Sequence, residues 1–289
     1  MRYLPVGIVV AVLLAPGGPA RGLELDRSAG PLPADVKTSC YRKLLCFHTV
    51  KGRRGVESWV EALTDTPITF TMRTSRENLT GAHRDTPVVL DRPRRVHMAK
   101  LRPAGPGGWS YFFKYTYHPG RPDTARPDTR AVYELPFAPG RRFRVTQGQH
   151  TTNTHKKREK FAVDWGLPVG TPIHAARGGT VAGAGGWSNL QKRGRGNFIW
   201  IRHADGTYAW YLHLKQGGVL VKRGDEVRAG QHIGYSGNTG KTSGPHLHFQ
   251  VSMPTSGRYA FMTIPFKLRT DKGIVTKVRS GDRHRRPKN

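Results

Sequence analysis

Two histidines stand one residue apart in the otherwise apolar stretch "GPHLHFQV" (residues 244–251). Successive side chains on a β-strand point to opposite faces, so His246, His248 and Gln250 share one face while the apolar residues share the other. The apolar face can enter a core, which leaves two imidazoles together on the opposite face. Such a pair can hold a metal or transfer protons, although an isolated H-x-H is equally compatible with a solvated sheet face.

Three other polar residues change that balance. His213 lies between two leucines in "YAWYLHL", and Asp164 is embedded in the strand-like "FAVDW", where a buried carboxylate is costly unless it is paired or holds a metal. His155 precedes Asp164 in a polar turn. Catalytic zinc takes three His, Asp or Glu ligands, and further imidazoles can serve as acid or base. One zinc site therefore explains all these residues, because nitrogen and oxygen ligands without thiolate suit zinc better than magnesium or calcium.

Strands rather than helices are expected to position these residues. Beyond Pro139 and Gly140 the sequence consists of short strands separated by glycines, and Asp205-Gly206 predicts a hairpin. Upstream, "WSYFFKYTY" (residues 109–117) alternates with period two and predicts a strand with an aromatic face. We expect an all-β protein with an N-terminal β-rich domain over residues 21–140, a compact antiparallel β-sheet domain over residues 141–268 and a solvated basic tail over residues 269–289.

Two further segments carry local signals. The repetitive "RPDTARPDT" (residues 121–129) predicts an exposed loop of a long hairpin that leads to a strand in "AVYELPF" (residues 131–137). The segment "GNTGKT" (residues 237–242) ends like a phosphate-binding loop, but Tyr235 stands where that motif requires a glycine. It also leads into a strand and not a helix, so we do not expect nucleotide binding.

The chain is strongly basic, with 48 Lys and Arg against 19 Asp and Glu and a formal charge of +29. Such an excess concentrates a protein on nucleic acid, anionic wall polymers or lipid headgroups without choosing among them. Because no recognisable nucleic-acid module accompanies the charge, we expect anionic envelope polymers as partners and no specific nucleic acid.

The N-terminus predicts export. A basic start is followed by a short apolar run and small residues, which is typical of a signal peptide over residues 1–20. No later run approaches the length of a membrane span, so we expect no transmembrane segment after signal removal and a location in the periplasm or the extracellular envelope. In an oxidising compartment, Cys40 and Cys46 are expected to form a local disulfide.

The segments "AVDWGLPVGTPIHAARGGTV", "HADGTYAWYLHL" and "GYSGNTGKTSGPHLHFQV" resemble the lysostaphin-like (LytM-type) zinc metalloendopeptidases over roughly residues 142–266. The resemblance implies that His155, Asp164 and His248 bind one zinc ion. It implies that His213 and His246 are catalytic histidines that do not bind the metal. The implied activity is hydrolysis of stem-peptide or cross-bridge bonds in bacterial peptidoglycan through a zinc-bound water.

The chain departs from the family pattern before the aspartate. Eight residues separate His155 from Asp164 where relatives often have three, which is similar to the variant in exported bacterial envelope enzymes. His150 is a rival first ligand on the same segment. A tyrosine that some relatives place shortly before the first ligand is absent, and Asn153 is a weak candidate for its donor role.

Several alternatives stay open at this level. Either His213 or His246 could take the proton while the other donates to the oxyanion. The N-terminal domain could dock substrate, block the cleft or support the fold. Two other function classes are a non-catalytic LytM-like module that binds cell wall and regulates other hydrolases, and a secreted polyanion-binding protein. The complete set of ligand and base residues favours the hydrolase.

Overall fold

The computed structural model describes residues 32–41, 44–151, 154–187 and 196–288. Within these residues the protein is all-β, as the sequence predicts, with antiparallel pairing except between β9 (Val132–Glu134) and β20 (Lys267–Thr270), and with two short 3₁₀ turns at Pro122–Thr124 and Lys157–Glu159. The segment predicted as a signal peptide lies outside the described residues. Among the residues that are described, no helix has the length and apolar character that crossing a membrane requires.

The chain divides into two compact units, residues 1–121 with 255–260 and residues 122–254 with 261–289. The boundary therefore falls before the position near residue 140 that composition suggested. The segment predicted as a hairpin loop, residues 121–129, begins at this boundary. The strands on its two sides belong to different sheets and do not pair with each other, which corrects the hairpin prediction.

The first unit contains two sheets, with strand orders β1-β2-β3-β7-β5 and β6-β4-β8. The predicted aromatic strand is present in the second sheet, and its rings pack on those of the first, with Phe47 4.9 Å from Tyr115 between ring centroids. Cys40 and Cys46 lie opposite each other in the first hairpin and form the predicted disulfide. The strands are β1 (Lys37–Tyr41), β2 (Leu45–Gly52), β3 (Gly55–Ala62), β4 (Ile68–Glu77), β5 (Leu79–His83), β6 (Val88–Leu90), β7 (Arg94–Pro103) and β8 (Ser110–Pro119).

The second unit is built on one large antiparallel sheet whose main strand order is β16-β13-β14-β15-β18-β11-β10-β22. A small sheet, β21-β20-β9, accompanies it. The strands are β9 (Val132–Glu134), β10 (Arg142–Gln147), β11 (Val163–Gly166), β12 (Pro172–His174), β13 (Gly179–Gly185), β14 (Asn197–Arg202), β15 (Tyr208–Val219), β16 (Glu226–Val227), β17 (His232–Ser236), β18 (Leu247–Pro254), β19 (Phe261–Thr263), β20 (Lys267–Thr270), β21 (Gly273–Val275) and β22 (Arg283–Arg285).

Because side chains alternate along each strand, one face of the large sheet packs in the apolar core and the opposite face carries the candidate site residues. Leu247 and Phe249 of β18 pair with Trp165 and Val163 of β11, and all four side chains are buried in the apolar core. The residues between them, Asp164 and His248, pair with each other and point to the other face. The apolar half of each strand thus fixes its position, and the polar half is held in register.

The C-terminal residues do not form the solvated tail that their charge suggested. β20, β21 and β22 belong to the second unit, and β22 extends the large sheet by pairing with β10. His284 and Arg286 are buried, and Arg286 Nη1 donates to the carbonyl oxygen of Phe137 at 2.9 Å. Buried and exposed side chains alternate along this segment, and its basic composition gave no indication of that alternation.

Candidate metal centre

Three side chains, two from neighbouring segments and one from a distant strand, meet on the face of the large sheet opposite the apolar core. His155, Asp164 and His248 are buried, and one ligand atom from each lies within 4.8 Å of the other two. His155 Nε2 is 3.4 Å from Asp164 Oδ2, and His248 Nδ1 is 2.9 Å from Asp164 Oδ1. Two nitrogens and a carboxylate in this arrangement are the donor set of a zinc site with three protein ligands.

His155 supplies the test of whether a cation fits here. Its Nδ1 donates to the carbonyl oxygen of Gly148 at 2.9 Å, which leaves the lone pair on Nε2. Nε2 is buried and makes no hydrogen bond within the described part of the chain, although it points toward Asp164. A buried polar atom without a partner is costly, and a cation held between this nitrogen and the carboxylate would remove that cost.

The aspartate is held in its charged form. Burial alone would raise the pKa of Asp164, but its contacts with His248 and His155 outweigh burial and hold that pKa well below the usual range. Burial lowers the pKa of His248, whereas the Asp164 carboxylate together with Gln250 and Glu159 raises it, and the net shift is upward. The site therefore favours a carboxylate next to positive charge, which a divalent cation would also provide.

His248 is oriented by its own strand. Nε2 of His248 donates to Oε1 of Gln250 at 3.0 Å, and Gln250 is buried. This bond places the other ring nitrogen, Nδ1, on the side of Asp164. His248 and His155 thus present different ring nitrogens to the same point, each fixed by a hydrogen bond on its far side.

His213 enters the same cleft from a β-bulge. Opposite it, Asn197 pairs with Leu214 and Phe198 pairs with Leu212, so His213 has no partner residue across the ladder. Its φ is +65°, a left-handed value that is strained for a residue with a Cβ. Simple alternation would place Leu212 and Leu214 together on the face opposite His213. Instead Leu214 is in the core and Leu212 lines the cleft with His213, because the bulge interrupts the alternation.

The bulged imidazole is held through its Nδ1. This nitrogen donates to the carbonyl oxygen of Thr239 at 2.8 Å and leaves the Nε2 lone pair for other partners. Burial, followed by the neighbouring His248 and His246, lowers the pKa of His213 to about 4. The ring is therefore neutral near pH 7 and able to accept a proton.

His246 lies beside His213 and makes the same kind of hydrogen bond through Nδ1. Its Nδ1 is 2.8 Å from the carbonyl oxygen of Gly244, to which it donates, and its Nε2 is 4.0 Å from Asp164 Oδ1. The centroids of the His213 and His246 rings are 4.6 Å apart. The two imidazoles therefore form a pair beside the three-residue cluster.

Residues 237–242, which only partly match a phosphate-binding loop, support this pair of histidines. Thr239 Oγ1 donates to the carbonyl oxygen of Leu214 at 2.7 Å and accepts the backbone N–H of Asn197 at 2.9 Å, which fixes Thr239 behind His213. Thr242 Oγ1 lies 3.1 Å from His246 Nδ1. No signal in the sequence linked these residues to the histidines.

A cleft of about 430 Å³ opens onto the site, and Asp164, His213, His246 and His248 line it. The lining also includes the large apolar side chains of Trp210, Leu212 and Phe261. One acidic residue, Glu159, and one basic residue, Lys241, line it as well. An extended peptide with apolar and charged side chains matches such a surface.

The rival ligand lies elsewhere. His150 is exposed, has a φ of +56°, and its ring packs edge-on against Phe161 with 4.7 Å between centroids. The group of potential metal ligands found among the described residues contains His155 and not His150. Asn153 lies outside the described residues.

Comparison with known proteins identifies the fold unit that carries this centre. The model of Peptidase family M23 matches residues 158–259, which include Asp164 and the three histidines of the C-terminal half of the site. The glycyl-glycine endopeptidase ALE-1 of Staphylococcus capitis is 46% identical over 91 residues, which are 31% of this chain and 24% of that protein. The peptidoglycan DD-endopeptidase ShyA of Vibrio cholerae is 39% identical over 88 residues, 30% of this chain and 19% of that protein.

Among solved structures, the catalytic domain of lysostaphin from Staphylococcus simulans is 34% identical, with a TM-score of 0.33, and the match covers 43% of this chain and 87% of that one. The alignments span less than a quarter of the length of both curated relatives named above. The second unit therefore carries a domain of peptidase family M23 that is similar to the lysostaphin-like (LytM-type) members of that family.

Proposed function

We propose that the protein is a zinc-dependent endopeptidase that hydrolyses peptide bonds in bacterial peptidoglycan. The observation that carries the proposal is the cluster of His155, Asp164 and His248, which borders a cleft that also presents the imidazoles of His213 and His246. Ligands alone would suit a structural metal, whereas ligands beside two further imidazoles in an open cleft suit hydrolysis.

In this proposal His155 binds zinc through Nε2, His248 through Nδ1 and Asp164 through its carboxylate. Zinc, when bound, supplies a Lewis acid that polarises a carbonyl group and makes water acidic enough to ionise near neutral pH. The protein holds the two imidazoles in place through Gly148 and Gln250. These hydrogen bonds leave Nε2 of His155 and Nδ1 of His248 available to the metal. Metal-binding histidines are commonly oriented in this way by a hydrogen bond from the other ring nitrogen.

His213 and His246 move the protons of the reaction. Each donates its Nδ1 proton to a backbone carbonyl and keeps the lone pair on Nε2 for a proton from water or the leaving group. One of them takes the proton of the attacking water on Nε2 and passes it to the leaving amine. The other donates to the oxyanion on the scissile carbonyl when it carries a proton on its own Nε2. Each such contribution is worth about 10² to 10⁴ in rate.

The substrate class rests on the relatives and on charge. The relatives are named as a glycyl-glycine endopeptidase and a peptidoglycan DD-endopeptidase. The formal charge of +29 would keep an exported enzyme on an anionic envelope. A location in the periplasm or at the outer cell surface fits this substrate. The Cys40–Cys46 disulfide fits the same oxidising location.

Digestion of purified peptidoglycan followed by mass spectrometry tests the proposal. The wild type with zinc should release new muropeptides, and Asp164→Ala should release none, with zinc content near one per chain in the wild type and far lower in the variant. A non-catalytic wall-binding module would leave both profiles unchanged. Identical profiles from the two proteins under zinc-replete conditions would therefore remove the hydrolase assignment.

A further inference from the structure

The outer edge of the large sheet carries four arginines in two cross-strand pairs. In the register of β10 and β22, Arg142 stands opposite Arg285 and Arg144 stands opposite Arg283. β22 is the last strand of the sheet, so these pairs lie at a sheet edge. We refer to Arg142, Arg144, Arg283 and Arg285 as the arginine quartet.

The quartet lies on the same face of the sheet as the candidate metal centre. Arg144 pairs with Gly166 of β11, and Gly166 lies two residues after Asp164 and therefore on its face. The intervening pair, Phe143 and His284, faces the other way, where Phe143 packs on the apolar core. From the strand spacing and rise, the Cα atoms of Arg144 and Asp164 are roughly 8 Å apart.

The quartet is an exposed excess of positive charge. All four arginines are exposed, and like charges directly opposite each other in a sheet are destabilising. Among the described acidic residues only Asp271 forms ion pairs with them, with its Oδ2 3.4 Å from Arg142 Nη2 and 3.7 Å from Arg285 Nε. Within the described ranges neither Arg144 nor Arg283 forms an ion pair. The nearby Asp282 instead contacts His284, with 3.6 Å between its Oδ2 and the ring Nε2.

We propose that the arginine quartet is a docking surface for the phosphate groups of an anionic, phosphodiester-linked wall polymer. A guanidinium group binds phosphate through two parallel hydrogen bonds, and the quartet contains arginine at every position and no lysine. Its two rows are about 7 Å apart along the strands, so a polymer with regularly spaced phosphates can contact both. The choice of a wall polymer rests on the proposed function, because docking here would turn the metal-centre face toward the wall.

A structural explanation also exists for charged residues at this position. Charges on an edge strand prevent sheets of two molecules from pairing with each other. That role predicts self-association when the charges are removed and no change in polymer binding. The docking role predicts the reverse, so the two explanations give opposite results for the same variant.

The test uses the full-length protein and poly(glycerol phosphate) as the probe, with binding measured over a range of salt concentrations. The double variant Arg144→Gln/Arg283→Gln should bind at least about tenfold more weakly near 0.15 M salt, and the slope of log K against log salt should fall by about two. The control Lys222→Gln/Arg228→Gln removes two exposed charges beside β16, at the opposite end of the strand order, and should change affinity less than twofold.

Three results would overturn the inference. Equal losses in the double variant and its control would show diffuse attraction by net charge. An unchanged affinity accompanied by dimerisation in sedimentation would assign the quartet to edge protection. Equal or tighter quartet-dependent binding to polyglutamate, or to single-stranded oligothymidylate of matched charge, would remove the wall polymer as the occupant.

The outcome is separable from that of the proposed function, because polymer binding requires no turnover. The double variant should still hydrolyse soluble muropeptides at the wild-type rate and lose activity only on intact wall. An inactive wild type with quartet-dependent binding would count against the enzyme assignment alone. An active wild type without quartet dependence would count against the docking surface alone.

Discussion

The Nε2 atom of His248 lies 3.0 Å from Oε1 of Gln250, two residues further along the same strand. Gln250 is therefore the residue that fixes which nitrogen of His248 faces Asp164. Gln250→Ala should lower zinc affinity about 10- to 100-fold because the ring loses its orientation and tautomer. Competition with a chromophoric chelator measures this affinity, and the d–d spectrum of the cobalt-substituted protein reports the ligand geometry.

Two controls accompany this variant. Gln250→Glu keeps an acceptor oxygen and should restore most of the affinity, whereas Gln216→Ala alters an exposed glutamine of β15 and should leave the affinity unchanged. Wild-type zinc affinity and cobalt spectrum in Gln250→Ala would show that the hydrogen bond does not position the ligand.

Gly196 should be required for both stability and activity. It has a φ of +67°, and a Cβ at this position would lie 2.3 Å from the carbonyl oxygen of Thr239, the atom that holds His213. Gly224 also has a positive φ, +95°, but a Cβ there would meet nothing within 4 Å. Gly224→Ala should cost about 1 kcal/mol from backbone strain alone.

Gly196→Ala should destabilise the protein by clearly more than the control does, and it should lower kcat because Thr239 must move. Urea unfolding and peptidoglycan turnover measure the two effects. Equal unfolding free energies and equal turnover in the two variants would show that the Thr239 carbonyl is not tightly held.

Local patterns in the sequence predicted which side chains of β11 and β18 face away from the core, because strand alternation is a short-range property. The core half of β18, with Leu247 and Phe249, fixes where His248 points, and the apolar residues beside Asp164 do the same. His155 was expected in a polar turn yet is fully buried, with its Nδ1 bonded to Gly148 and its Nε2 facing Asp164. Its ring also packs edge-on against that of His248, with 5.3 Å between centroids, and this contact with a distant strand is not visible in the local pattern.

Pairing between distant strands is what the sequence did not predict. The bulge at His213 depends on how β14 aligns with β15, and β22 joins the sheet only through β10. Basic composition in residues 269–289 suggested solvation, whereas the burial of His284 and Arg286 follows from those pairings. The charge and periodicity of a segment predict whether it tends to be exposed or to form a strand. They do not predict the strand with which it pairs, and that pairing can bury residues that composition alone would place in solvent.

Zinc should stabilise the folded protein through the three-residue cluster. Binding to the native state alone adds RT ln(1 + [L]/Kd), about 2.7 kcal/mol at a hundredfold excess over Kd, which corresponds to a rise in Tm of roughly 5 to 10 °C. Asp164→Ala should abolish the rise, because it removes the carboxylate that both histidines contact. Differential scanning calorimetry with and without chelator measures it, and a zinc-induced rise that survives in Asp164→Ala would place the metal elsewhere.

His213→Ala and His246→Ala should each lower kcat about 10²- to 10⁴-fold and leave zinc content near that of the wild type. Both rings are beside the cluster and neither belongs to it. Turnover of muropeptides and metal analysis of the same preparations give the comparison. A loss of zinc that matches the loss of activity would make either residue a ligand and not a proton-transfer group.

His203, outside the cleft, should make the protein less stable in mild acid. Burial lowers its pKa to about 4 from the ordinary 6.5, and its Nδ1 donates to the carbonyl oxygen of Gly178 at 2.8 Å. The unfolded chain therefore binds a proton between pH 6.5 and 4 that the folded chain excludes. The stabilisation is complete above pH 6.5 and is lost as pH falls toward 4, by about 3 kcal/mol.

His203→Asn keeps a donor for the carbonyl oxygen of Gly178 and removes the titrating ring, so its unfolding free energy should fall less steeply over this pH range. Burial also lowers the pKa values of His174 and His213 to about 4. These two residues add to the same slope, and the comparison is therefore between variant and wild type, each in metal-free buffer. Urea unfolding at pH 7 and pH 4.5 gives the two differences, and equal differences would mean that His203 is already protonated in the folded protein.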